Sequence, residues 1–162
     1  KGSRLAKELC ESAPVLLRAR ELIARTEVRP GEPGMVILDM CSGFGYLAMF
    51  LSELLAPWAH KVDKIVLLDI KWCPHNQEPG PQHLDPAHVY AAGWPVRLTT
   101  SRVDLKSGCA RRSLARHFLA DGGPAVLLGV HLCGTLSLRA IQLFNESDYA
   151  GRVLEVRPDA FA

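Results

Sequence analysis

Asp39-Met40-Cys41-Ser42-Gly43-Phe44-Gly45-Tyr46 is the stretch whose reading decides the fold. Just before it, Met35 to Met40 is a short apolar run that reaches an acid at Asp39, the pattern of a strand buried on both faces in a parallel sheet. After it, Leu47, Phe50, Leu51, Leu54 and Leu55 recur at helical spacing, and Pro57 closes the run. The small residues between predict a tight turn. Gly43 and Gly45 let the backbone bend sharply there and let a ligand approach closely. Strand, glycine turn and helix in this order predict the first βα unit of an α/β domain.

The alternation continues outward. Ser3 to Arg25 reads as helix, with Pro14 expected to break or restart it. Lys64 to Ile70 is a second buried strand closing on Asp69, and Val96 to Val103 a third, followed by Asp104. Cys109 to Ala120 is a helix on which Arg111, Arg112 and Arg116 are expected to form a basic face. Ala125 to Val130 is a fourth strand and Val153 to Val156 a fifth. Between these two, Ser137 to Asn145 is a helix with Leu138, Ile141 and either Leu143 or Phe144 facing inward. Residues 72–95 are rich in proline and predict a long loop, with one short helix near Pro86 to Ala92. The expected fold is α/β, Rossmann-like, with a parallel sheet and helices on both faces. Ligands bind such sheets outside the carboxyl ends of the strands, so Asp39, Asp69, Asp104 and His131 should share one rim.

The 162 residues suit one domain, with a helical segment over 1–30 and a core over 35–145. A net charge of +2 makes no case for nucleic acid by itself. The cysteines Cys10, Cys41, Cys73, Cys109 and Cys133 are scattered, without a C-x-x-C pair. They predict reduced thiols in a cytoplasmic or nuclear protein. Cys73, His75, His83 and His88 fit no common metal-ligand spacing, so no metal is expected. No signal peptide and no membrane-length apolar run is seen, so no membrane partner is expected. The opening at Lys1 suits a domain excised from a longer chain.

Gly43-Phe44-Gly45-Tyr46-Leu47-Ala48 also fits the loose G-x-G-x-x-[GA] dinucleotide pattern, and Asp69 lies 24 residues beyond Gly45, where it could accept from ribose hydroxyls. Asp39, four residues before Gly43, separates two cofactors. Its carboxylate can hold the ammonium group of S-adenosylmethionine but would repel the pyrophosphate of NAD. Asp104 could accept from an adenine amino group. The plainer readings are a helix-capping acid for Asp39, an ordinary tight turn for the glycines, and solvated strand ends for Asp69 and Asp104.

Asp39-x-x-x-Gly43-x-Gly45, Asp69 and Asp104 together resemble the successive cofactor motifs of class I S-adenosylmethionine-dependent methyltransferases, over roughly residues 35–145. The resemblance implies that cofactor, held by Asp39, Cys41, Ser42, Gly43, Gly45, Tyr46, Asp69, Ile70, Asp104, Leu105 and His131. Gly129-Val130-His131-Leu132-Cys133-Gly134-Thr135 stands where this family faces the transferred methyl group. The His-Leu-Cys-Gly string resembles the tRNA 2′-O-methyltransferases of the acceptor stem and the methyltransferase-like 25 group. That implies RNA, and tRNA in particular, as acceptor. His131 would be a general base and Cys133 a weaker candidate as a covalent nucleophile. The family finishes its sheet with two further strands, the last antiparallel. Here only Gly151 to Val156 follows in strand-like form, so the C-terminal strands are expected to be missing. This departure leaves a second expectation open, a catalytically inactive methyltransferase-like binding module.

Overall fold

A computed structural model describes residues 2–29, 31–119, 123–130, 132–145 and 153–156, with the backbone alone for 2–4 and 153–156. The chain runs α1 (Gly2–Arg25), β1 (Met35–Met40), α2 (Tyr46–Leu54), β2 (Val62–Asp69), α3 (Ala87–Tyr90), β3 (Leu98–Arg102), α4 (Gly108–Phe118), β4 (Ala125–Leu128), α5 (Leu136–Asn145) and β5 (Val153–Val156). The five strands form one sheet in the order β3-β2-β1-β4-β5, and every pair is parallel.

Side-chain alternation along the strands builds two cores. Ile37, Ile65, Leu67 and Val126 point to one face, against Ala19 and Ile23 of α1 and Leu51 of α2. Leu38, Val66, Leu68 and Leu127 point to the other, against Leu114 of α4 and Leu143 of α5. Both faces are covered, which is why the strands read as unbroken apolar runs. Each fully buried Leu or Ile contributes about 1.5–3 kcal/mol. The architecture is a three-layer α/β/α fold compatible with a Rossmann-like domain. From β1 the chain steps outward to β2 and β3, then returns to the opposite side of β1 to form β4. The switch point therefore falls between the carboxyl ends of β1 and β4.

Four sequence expectations change in detail. Helix α1 runs unbroken through Pro14. Pro14 and Cys10, whose carbonyl loses its helical donor, are both exposed, so water can take that acceptor. Strand β3 is shorter than expected, starting at Leu98 and stopping at Arg102. Arg111 is not on a solvated basic face. It lies inward with Leu114 and Ala115, and its Nη1 donates to the Leu105 and Lys106 carbonyls at 2.8 and 3.2 Å, bracing the loop after β3. On α5, Leu136, Ala140 and Leu143 share the inner face, which turns Leu138 outward at 58% exposure.

Lys61 fixes how α1 lies on the sheet. Its Nζ donates to the carbonyls of Ala24 and Thr26 at 2.8 and 3.0 Å, satisfying acceptors at the helix's C-terminal end. Among the described residues no helix is long and apolar enough to cross a membrane.

Candidate functional site

At the switch point a pocket of about 200 Å³ opens, lined by Asp39, Cys41, Ser42, Gly43 and Tyr46, by Val130 after β4, and by Glu8 and Ser12 of α1. Its floor is the turn between β1 and α2. Gly43 and Gly45 take positive φ angles of 53° and 82°, in the left-handed region that glycine enters at little cost. Cys41 also sits there, at φ 59°, a strained conformation for a residue with a side chain. A Cβ at Gly45 would run into the Leu67 side chain, whereas one at Gly43 would meet open space.

Asp39 is the unusual group. It is 2% exposed, and its Oδ2 has no hydrogen-bond partner among the described residues. Burial pushes its carboxyl up to about 8, helped by the Asp69 charge and opposed by the Ala48 backbone N–H in the first turn of α2. The start of α2 thus offsets only part of the burial, and Oδ2 is left unsatisfied beside the pocket. A buried acceptor without a donor costs about 1–3 kcal/mol, a cost that a cationic donor in the pocket would relieve. Burial first, then the charges of Asp69 and Asp39 and the nearby Cys133, raise the Cys41 thiol to about 11. Cys41 is thus a neutral wall of the pocket and not a nucleophile at neutral pH.

Asp69 organises the turn. Its Oδ2 accepts from the Gly43 N–H at 3.0 Å and its Oδ1 from the Lys71 N–H at 2.9 Å. A carboxylate has about four acceptor positions, so room remains for further donors. Ile70 follows it, 52% exposed at the rim. Asp104 stands half-buried after β3, with Oδ1 taken by the Lys106 N–H at 2.9 Å. Leu105 packs into the core beneath at 3% exposure, which leaves its backbone, not its side chain, near the rim. Cys133 is exposed, and His131 lies outside the described residues.

Three contributors escaped the sequence reading. Glu8 and Ser12 reach the pocket only because α1 packs across the sheet, and no local signal in α1 marks them. His88 ties the proline-rich loop to the glycine turn. Its Nε2 lies 2.8 Å from the Phe44 carbonyl and its Nδ1 2.9 Å from the Asp85 carbonyl, with the ring stacked 6.0 Å from Trp72. Trp72 in turn donates from Nε1 to Ser42 Oγ at 3.1 Å. These contacts hold the turn from outside, so His88→Ala is expected to weaken ligand binding several-fold while costing about 1 kcal/mol of stability. Parallel titration calorimetry and thermal unfolding would check both. Cys73, His75, His83 and His88 do not converge, and among the described residues no group of three or more His, Cys, Asp or Glu could hold a metal ion.

The fold and site together define a parallel α/β domain with an acid-walled pocket beside a glycine turn at its switch point. Compared with models of protein families, with curated proteins and with solved structures, the chain matches none.

Proposed function

We propose that this domain is a class I S-adenosylmethionine-dependent methyltransferase whose acceptor is RNA, with tRNA the first candidate. The observation that carries the cofactor reading is the unpartnered Asp39 Oδ2, buried beside a pocket whose floor is the Gly43–Gly45 turn. A carboxylate so placed fits the ammonium group of the methionine tail and opposes a pyrophosphate. The pocket is smaller than the about 300 Å³ at which enclosed ligand sites begin. It suits the amino-acid half of the cofactor, with the nucleoside lying over the open rim by Asp69 and Ile70. The acceptor rests on the resemblance of the His131-Leu132-Cys133-Gly134 string alone.

The residues present fit the group in these roles. Asp39 would hold the ammonium and Asp69 the ribose hydroxyls. Ile70 would offer apolar surface to the adenine and Asp104 would accept from its amino group. The cofactor supplies a methyl group already activated on a sulfonium, so the protein has to position the acceptor and exclude water. His131 is the candidate to take the proton from a hydroxyl acceptor.

Thermal unfolding with S-adenosylmethionine, S-adenosylhomocysteine and NAD added separately tests the reading. At a hundred times its dissociation constant a ligand adds about 2.7 kcal/mol, which for a chain of this size raises the midpoint by about 5–10 °C. We expect that shift with the two sulfur nucleosides and none with NAD. No shift with either sulfur nucleoside would reject the cofactor. A shift joined to methyl transfer that survives His131→Ala would remove the proposed base.

A further inference from the structure

We propose that the open edge of the sheet along β3 binds single-stranded nucleic acid through its phosphodiester backbone. β3 is a terminal strand, and a cleft of about 780 Å³, far larger than the pocket at the switch point, follows it from Arg97 to Arg102. Lys64, Arg97 and Arg102 line it together with His75 and His117, and among the described residues no carboxylate lines it. Asp63 just outside pairs with both Lys64 and Arg97 at 3.3 Å, so three fixed cations line the cleft against this one paired acid. Arg102 is exposed, and its Nε donates to the Ile70 carbonyl at 3.0 Å, which holds the guanidinium beside the rim of the switch-point site.

The edge itself selects against the other obvious occupant, an extended acidic peptide. Arg97 and Val103 turn their backbone groups toward β2, so those of Leu98, Thr100 and Arg102 face away from the sheet. A peptide strand would need the Thr100 N–H, but the Tyr90 hydroxyl already accepts it at 2.9 Å. The phenol blocks strand addition at the centre of β3. Phosphates require no backbone pairing. They require cations, best arginine, and hydroxyl donors, which Thr99 and Ser101 supply on the face of the strand that carries Arg97, while Arg102 projects from the other face at the far end of the edge. Five residues of strand span about 16 Å, the rise of four to five stacked nucleotides. The exposed Tyr90 ring offers a face on which a base can stack.

Fluorescence anisotropy of a short labelled oligouridylate, in low salt and without any methyl donor, tests this independently of the cofactor reading. Wild-type protein should bind. The double substitution Arg97→Glu with Arg102→Glu should weaken binding more than tenfold and flatten the plot of log affinity against log salt by about 1.4, at about 0.7 per phosphate contact. Both side chains are exposed, so the thermal midpoint should stay within a few degrees, and Arg102→Lys should retain most binding. Arg112→Glu, on an exposed face of α4 outside the cleft, should leave binding unchanged. Absence of wild-type binding would overturn the proposal. So would equal loss in the Arg112→Glu protein, which means diffuse attraction. Displacement of the RNA by oligoglutamate as readily as by unlabelled oligouridylate would assign the cleft to acidic peptides instead.

Discussion

Asp39→Asn is expected to stabilise the ligand-free protein while strongly weakening its binding of a cationic cofactor. The sign follows from the carboxyl, which is raised from 3.8 to about 8 in the folded protein. Between those values the folded state keeps a proton that the unfolded chain has released. Folding therefore takes up a proton, and stability falls as pH rises from about 4 to about 8, then levels off. Asparagine does not titrate, so the variant should lack this slope. Its advantage should be largest at pH 8, on the order of 2–4 kcal/mol, and shrink toward pH 4. Urea unfolding of both proteins across that pH range measures the difference directly. A variant that is less stable than wild type at pH 8 would show that the buried carboxyl is satisfied in the fold.

Binding should move the opposite way. A cationic donor pairs with the ionised carboxylate, so below pH 8 its binding must expel the Asp39 proton. Affinity for S-adenosylhomocysteine should then rise with pH, at most about tenfold per unit, and flatten above pH 8. Calorimetry in buffers of different ionisation enthalpy should count about one proton released at pH 6–7 and none above the Asp39 pKa. In the Asp39→Asn protein the affinity should drop on the order of 100-fold and its pH dependence should vanish. The stability gain and the binding loss belong to one oxygen, which is why a merely structural acid would give neither pattern.

Gly45→Ala is the second change with a large expected effect, and it should act on the fold before it acts on the ligand. The residue is held at φ 82°, and a methyl group there runs into Leu67 of the interior strand β2. Strain and overlap together should cost about 2–4 kcal/mol, lowering the thermal midpoint by about 5–15 °C. Gly43→Ala is the matched comparison. At φ 53° it carries the strain of about 1–2 kcal/mol, but its methyl enters open space beside the pocket. It should therefore keep most of the stability and lose more of the binding. If the two alanine variants were equally stable, the close packing of the turn on Leu67 would not be what makes glycine necessary at position 45.

The parallel sheet was legible because its causes are local. Met35 to Met40, Lys64 to Ile70 and Ala125 to Val130 are apolar without alternation, as two-sided burial requires, and all three runs contain strands. The glycine turn was legible because positive φ is costly for any other residue, so Gly43 and Gly45 mark their own conformation. Leu138 points outward because several positions on α5 satisfy helical spacing almost as well, and the way the helix packs on the sheet, which local spacing does not set, chose Ala140 and Leu143. Arg111 was misplaced because an arginine reads as exposed until two backbone carbonyls are found to receive it.

By itself the sequence determined the alternating elements, the turn after β1 and the three acids at or just beyond strand ends, since each depends on neighbours a few residues away. Tertiary structure alone decided the rest. It set the β3-β2-β1-β4-β5 order that brings Val130 beside Asp39, and the packing of α1 that carries Glu8 and Ser12 to the same pocket. It also decided that Asp39 is buried with one oxygen unsatisfied. Burial is a property of everything packed around a group, and the charge state that governs this site follows from burial.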